Sequence, residues 1–216
     1  TLFRSRMLNN RSDEVVQEGA EEVTARWLFH GYFADELEIC RRGPIPQRKG
    51  VAQVASHFLL DPQYTDRCEN LLLPLYDDEE PQVRSETAHA FRDQRVLEVP
   101  AANERIARYA KTSCFTDDPT WLLHAFGESK GPLLPFADSI LMICEIFAGP
   151  LREETHDIIS SKAGDVRLIP PILLRLYDEV QGQADTDLLQ RCLDIWDLLY
   201  ERRVGVTREL TQAIDH

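Results

Sequence analysis

The chain has 216 residues, with 24 Lys and Arg against 37 Asp and Glu, for a formal net charge of −13. Hydrophobic residues make up 43% and charged residues 28%, the balance of a globular protein with enough chain to bury a core. The acidic excess argues against a nucleic-acid backbone as the main partner and against an anionic membrane surface, because both need a basic face.

No run reaches the roughly 18 apolar residues of a membrane-crossing helix. The longest candidate, 139–148, is interrupted by Glu145. There is no signal-peptide pattern at the start. Five cysteines (Cys40, Cys68, Cys114, Cys144, Cys192) occur without a CxxC pair, which predicts reduced thiols in a cytoplasmic protein. The chain begins with Thr1 rather than Met, so a fragment of a longer protein is expected.

Alternating β-branched runs are missing, apolar residues recur at helical spacing, and prolines punctuate the chain. This pattern predicts helices over 12–30, 32–41, 47–60, 65–77, 81–95, 101–112, 119–127, 133–148, 151–161, 168–181, 185–202 and 206–215. Val83, Thr87, Ala88 and Phe91 form one apolar stripe. Leu188, Leu189, Cys192, Leu193, Ile195, Trp196 and Leu199 form a wider one.

An internal repeat underlies these helices. The residues from Leu72 to Asp78 line up with those from Leu173 to Glu179, and each copy is followed by a polar turn and a second amphipathic helix. Val83, Ala88 and Phe91 share their spacing with Leu188, Leu193 and Trp196, and Val15, Ala20 and Val23 supply a third copy. A helix pair with one apolar face is covered by the next pair, so the array grows as a solenoid. Small residues such as Ala20 and Ala88 would mark the closest helix approaches, and Phe91 and Trp196 would fill the space between layers.

The stretch from Leu71 to Arg84 resembles a HEAT repeat, with Pro74 in a first helix, Asp77 in the turn, Val83-Arg84 opening the second helix and Ala88 within it. The resemblance implies that Pro74 bends the first helix, that Asp77 accepts from free N–H groups at a helix start, and that Arg84 bridges to turn carboxylates. The other units depart from it, with Val16 in the place of Arg84 and Arg175 in the place of Pro74. The expected fold is all-α, a HEAT-like α-solenoid of antiparallel helix pairs in one domain over 1–216, with 43–50 as the place where it would subdivide.

The C-terminal residues from Leu168 to Tyr177, from Arg191 to Leu199 and from Gly205 to Leu210 are similar to the C-terminal end of bacterial STAND-type NTPases of antiphage defence. That resemblance implies a sensor region that binds an invading phage protein and passes the event to an NTPase module. This chain has no G-x-x-x-x-G-K-[ST], so phosphate binding and any effector activity would lie outside it. No enzyme activity and no cofactor are expected within it, and oligomerisation is expected only through the parent protein. Two other readings stay open, a generic HEAT-repeat scaffold and a helical metal-dependent enzyme.

The metal reading rests on two Glu-x-x-His pairs, Glu86/His89 and Glu153/His156. At i, i+3 on a helix such side chains share a side, as in di-iron bundles, which also need long parallel helices that the prolines oppose. Coincidental solvent-facing pairs are the favoured reading. The run from Asp77 to Glu80 would suit a cation or a basic partner, although negative charge at a helix start explains it as well. Asp13-Glu14 and Asp185-Thr186-Asp187 hold the same place before their helices. Cys114 with His124, or Cys68 with His57, would need an orienting partner that the sequence does not name.

One basic cluster stands out, with Arg41, Arg42, Arg48 and Lys49 around the Pro/Gly-rich residues 43–46. A solvated loop or a salt-bridge partner is favoured over a phosphate site. The aromatic residues Trp27, Phe29, Tyr32 and Phe33 precede it and, where exposed, have the composition of a binding hot spot. The candidate partner-binding residues are therefore Tyr32, Arg41, Arg42, Arg48, Lys49, Glu86 and His89.

Overall fold

The computed structural model describes residues 7–148, 167–183 and 185–201. Among these residues the chain is all-helical, with no strand. The described residues form eleven α-helices: α1 (Asp13–His30), α2 (Ala34–Arg42), α3 (Ile45–Leu59), α4 (Thr65–Leu72), α5 (Pro81–Ala88), α6 (Ala102–Tyr109), α7 (Ser113–Asp117), α8 (Trp121–Glu128), α9 (Ala137–Ala148), α10 (Ile169–Gln181) and α11 (Thr186–Glu201). The expected helices 151–161 and 206–215, and the pair Glu153/His156, lie outside the described residues.

The chain divides into two compact units, Thr1–Ala102 with Lys111–Asp117, and Asn103–Ala110 with Asp118–His216. The expected sub-division at 43–50 falls inside the first unit, where Gly43-Pro44 joins α2 to α3.

In the first unit, α1 packs on α3, α3 on α5, and α5 on α7. α2 and α4 lie against this row, α2 touching α1 and α3, and α4 touching α3. The contacts set the direction of the helices. Gly50 sits against Gln17, Ala20 and Glu21, while Phe58 meets Phe29 with ring centroids 5.0 Å apart, so α1 and α3 run parallel. The Arg48 guanidinium reaches Asp78 near the start of α5, and the Ser56 hydroxyl donates to the carbonyls of Glu86 (2.8 Å) and Thr87 (3.1 Å) near its end. α3 and α5 therefore also run parallel.

Close approach dictates the small residues. A Cβ on Gly50 would lie 2.5 Å from the Gln17 carbonyl oxygen and 2.9 Å from the Ala20 Cβ, so only a glycine lets α1 and α3 meet there. Ala20 lies at this approach, as expected, and both Ala20 and Ala88 are buried. Val83, Thr87, Ala88 and Phe91 form one buried stripe, as their spacing predicts.

The helix carrying that stripe is not continuous over 81–95. It is α-helical to Ala88 and then tightens into 3₁₀ turns at His89–Arg92 and Gln94–Leu97. The break falls where Ser56 takes the Glu86 and Thr87 carbonyls and the Thr87 hydroxyl donates to the Val83 carbonyl, interactions that compete with the α ladder. The helix expected over 65–77 is not merely bent at Pro74: its α part ends at Leu72, and Leu73–Leu75 form a 3₁₀ turn, because the proline lacks an N–H and its ring crowds the preceding turn.

In the second unit, α10 packs against α8, α9 and α11, and α9 also packs on α11. Leu122, Phe126, Leu141, Phe147, Leu173 and Leu176 are among its buried side chains. The repeat seen in the sequence takes two different local forms. Leu72 and Leu75 end a helix, whereas Leu173 and Leu176 are buried in the middle of α10, where Arg175 replaces the breaking proline. The wide stripe on α11 is narrower than expected. Cys192, Ile195 and Leu199 are buried, Leu188, Leu189 and Trp196 are half-buried, and Leu193 is 44% exposed.

Arg175 and Glu179 have a role that the repeat alignment did not suggest. Arg175 donates to the carbonyls of Ser129 (2.6 Å) and Gly131 (2.8 Å), just beyond the end of α8. The Glu179 carboxylate accepts from the N–H groups of Leu133 (2.7 Å) and Leu134 (2.9 Å) at the start of the next turn. One α10 face thereby satisfies both ends of the 129–134 connection.

Candidate functional site

The N-terminal ends of α1, α3 and α5 lie side by side in the first unit and enclose a groove of about 920 Å³. α1 contributes Asp13, Glu14, Gln17, Glu18 and Glu21, α3 contributes Ile45, Pro46, Arg48 and Lys49, and the turn into α5 contributes Glu79, Glu80 and Gln82. Six carboxylates thus face two cations, and one of those cations is already engaged.

That cation is Arg48. Its guanidinium pairs with both Asp78 carboxylate oxygens, at 2.8 and 3.0 Å, and donates to the Gly43 carbonyl at 2.7 Å. The side chains of Arg48 and Asp78 are only 14% and 7% exposed. The expected basic loop is therefore largely helical. α2 runs to Arg42, α3 starts at Ile45 with Pro46 in its first turn, and Arg48 and Lys49 project from that helix. Arg41 and Arg42 are bound to Glu38 on their own helix, at 2.9 and 2.6 Å, and do not line the groove.

Burial holds the Glu21 carboxyl above the usual carboxylate range; Gln17 counters this by donating to it, while Glu18 and Glu86 add to the upward shift. Gln17 also donates to Gln53 at 2.7 Å, tying α1 to α3 at the groove. Glu86 is half-buried on α5 and His89 is exposed at the first position of a 3₁₀ turn, so the two do not share one regular helix face. Among the described residues no three His, Cys, Asp or Glu side chains are arranged to hold a metal ion.

The turn from Asp77 to Glu80 makes contacts that differ from the expected ones. Asp77 accepts from the Ser113 N–H at 2.7 Å, at the start of α7 rather than α5. Arg84 donates to the carbonyls of Asp78 and Glu79, at 2.5 and 3.2 Å, and reaches the carboxylate of Asp117 rather than those of the turn. Cys68 and Cys114, weighed as nucleophiles, are buried. Burial, helped by Asp61 and Asp117 respectively, pushes both thiols up to about 12, so they stay protonated at neutral pH.

Tyr32 lies apart from the groove, at the opposite ends of α1 and α3. It is 61% exposed, and its ring lies 5.7 Å from His30 and 6.2 Å from Phe33. Sequence reasoning missed the groove as a unit, although it placed Asp13-Glu14 and the run from Asp77 to Glu80 in equivalent positions before helices. What it lacked was the parallel row that brings these helix starts together.

No family model, no curated protein and no solved structure matches this chain. Among the described residues no helix is long and apolar enough to cross a membrane.

Proposed function

We propose that this chain is a protein-recognition region of helical-repeat type, and that the groove of the first unit receives a basic segment of its partner. The observation that carries this reading is the convergence of six carboxylates on one groove of about 920 Å³ while Arg48 is neutralised by Asp78 beneath it. Carboxylates gathered on a concave surface attract a cationic partner and set its orientation. The parallel α1, α3 and α5, with α2 and α4 packed against them, support the solenoid reading, since repeats stacked in this way present equivalent helix ends along one edge.

The resemblance of the C-terminal stretch extends the proposal. The partner would be an invading phage protein, and its binding would be passed to an NTPase module outside this chain by favouring one arrangement of the repeats over another. The test is a binding screen of this chain against purified phage structural and packaging proteins. A true partner should bind more weakly as salt rises and when Glu14, Glu18, Glu79 and Glu80 are all changed to Gln. Binding indifferent to both changes would remove the groove from the proposal.

A further inference from the structure

The ends of α1 and α3 opposite the groove carry a continuous set of aromatic rings. Phe29 lies 5.0 Å from Phe58 and 5.3 Å from Tyr64, and Phe58 lies 5.9 Å from Tyr64, all edge to face. The series continues through His30 to Tyr32. Part of this surface faces solvent, with Phe29 42% and Tyr32 61% exposed.

The backbone holds Tyr32 in that exposed position. Gly31 and Phe33, on either side of it, are both left-handed, with φ of 70° and 68°. Glycine adopts this conformation freely, whereas a phenylalanine is strained in it. The two residues also join the helices: the Gly31 N–H donates to the Trp27 carbonyl at the end of α1, and the Phe33 carbonyl accepts from the Leu37 N–H at the start of α2, both at 2.9 Å.

The charges around the corner select the occupant. Asp61 lies in the turn between Phe58 and Tyr64, with its N–H bonded to the Phe58 carbonyl and its carbonyl accepting from the Tyr64 N–H. Asp35 and Glu36 open α2 directly after Phe33. On the basic side, Arg67 donates to the Leu28 carbonyl at 3.0 Å, and His30 and His57 lie in ring contact with Phe29 and Phe58. Exposed rings with acidic residues in the adjoining turn and helix start favour a planar cation that can stack and hydrogen-bond together, and arginine does both better than lysine.

We infer that this aromatic corner is a second docking surface, taking an arginine-bearing segment of a protein partner, with Tyr32 and Phe29 as its anchors. The inference rests on the reading of the chain as a protein-recognition region but not on the groove. Short synthetic peptides of alternating arginine and glycine, compared with lysine and glycine peptides of the same length, separate the two surfaces by titration calorimetry on the full chain.

Arginine peptide should bind about three- to five-fold more tightly than lysine peptide. Tyr32→Ala should abolish that preference and leave lysine-peptide binding unchanged, and Phe29→Leu should reduce it. The four-residue groove variant, Glu14, Glu18, Glu79 and Glu80 to Gln, should weaken both peptides and keep the preference. Equal binding of the two peptides, no binding of either, or a preference that survives both Tyr32→Ala and Phe29→Leu would overturn the inference. A preference that persists while the groove variant changes nothing would sustain the corner and remove the groove.

Discussion

Arg48 and Asp78 form a two-pronged ion pair, with N–O distances of 2.8 and 3.0 Å, that fastens the first turns of α3 to the turn entering α5. Both side chains are shielded from water, so removing one leaves a buried charge without its partner. Arg48→Ala should destabilise the protein by about 2–4 kcal/mol, and Arg48→Lys by less, because one prong can re-form. Urea denaturation followed by circular dichroism measures both. A loss of under about 0.5 kcal/mol for Arg48→Ala would place the pair among ordinary surface bridges.

Gly50→Ala sets two effects against each other. Alanine gains about 1 kcal/mol of helix propensity. Against this, its Cβ would meet the Gln17 carbonyl oxygen at 2.5 Å, and backbone cannot move aside as a flexible side chain can. The overlap should win, with a net loss of about 1–3 kcal/mol visible as a lower thermal midpoint. An unchanged or raised midpoint would show that α1 and α3 separate at little cost.

Glu21 gives a pH signature. Its carboxyl is held above the usual range in the folded protein, so folding favours the protonated form. Stability should therefore fall as pH rises through the window between the unfolded and the folded value, and stay lower above it. Glu21→Gln should be the more stable protein at pH 7, by under about 0.5 kcal/mol because the side chain keeps some solvent. The gain should vanish below about pH 4, where both forms are neutral. Denaturation midpoints at the two pH values check the sign, and a Glu21→Gln protein less stable at pH 7 contradicts it.

Glu179→Ala removes the acceptor for two backbone N–H groups, those of Leu133 and Leu134. The expected loss is about 1–3 kcal/mol, and it should be local. Hydrogen exchange should quicken at these two amides well before the amides of the α10 core change. Uniform acceleration across the second unit would instead mean that the connection does not open by itself.

All five cysteines are buried. Burial pushes the Cys40 thiol up to about 11 and those of Cys68 and Cys114 to about 12, with Cys144 and Cys192 also raised. Iodoacetamide at pH 8 should leave all of them unmodified in the native protein and label all of them in denaturant, as counted by intact mass. Rapid native labelling of any one would identify a site that opens without global unfolding.

Helix positions were legible because proline and apolar spacing are local signals. Val83, Thr87, Ala88 and Phe91 are buried as a stripe, whereas Pro74, expected only to bend its helix, follows the end of the α part at Leu72. What was not legible depends on partners far along the chain. Gly50 looks like an ordinary mid-helix glycine until α1 is laid against it. Arg48 looks like part of a basic loop until Asp78, 30 residues away, is brought to it. Ser56 tightens the end of α5 from another helix. Leu193 fits the apolar pattern of α11, yet that stripe is wider than the face α9 and α10 cover.

The contact at Gly50 also has a mechanical meaning. α1 is 18 residues long, about 27 Å, and Gly50 meets it part-way along. A meeting point this close resists sliding but still permits tilt, so it acts as a fulcrum. Tilting α1 against α3 about that point spreads their starts as it draws Phe29 and Phe58 together, or the reverse. The two ends of the pair would thus move in opposition, like the two ends of a clothes peg.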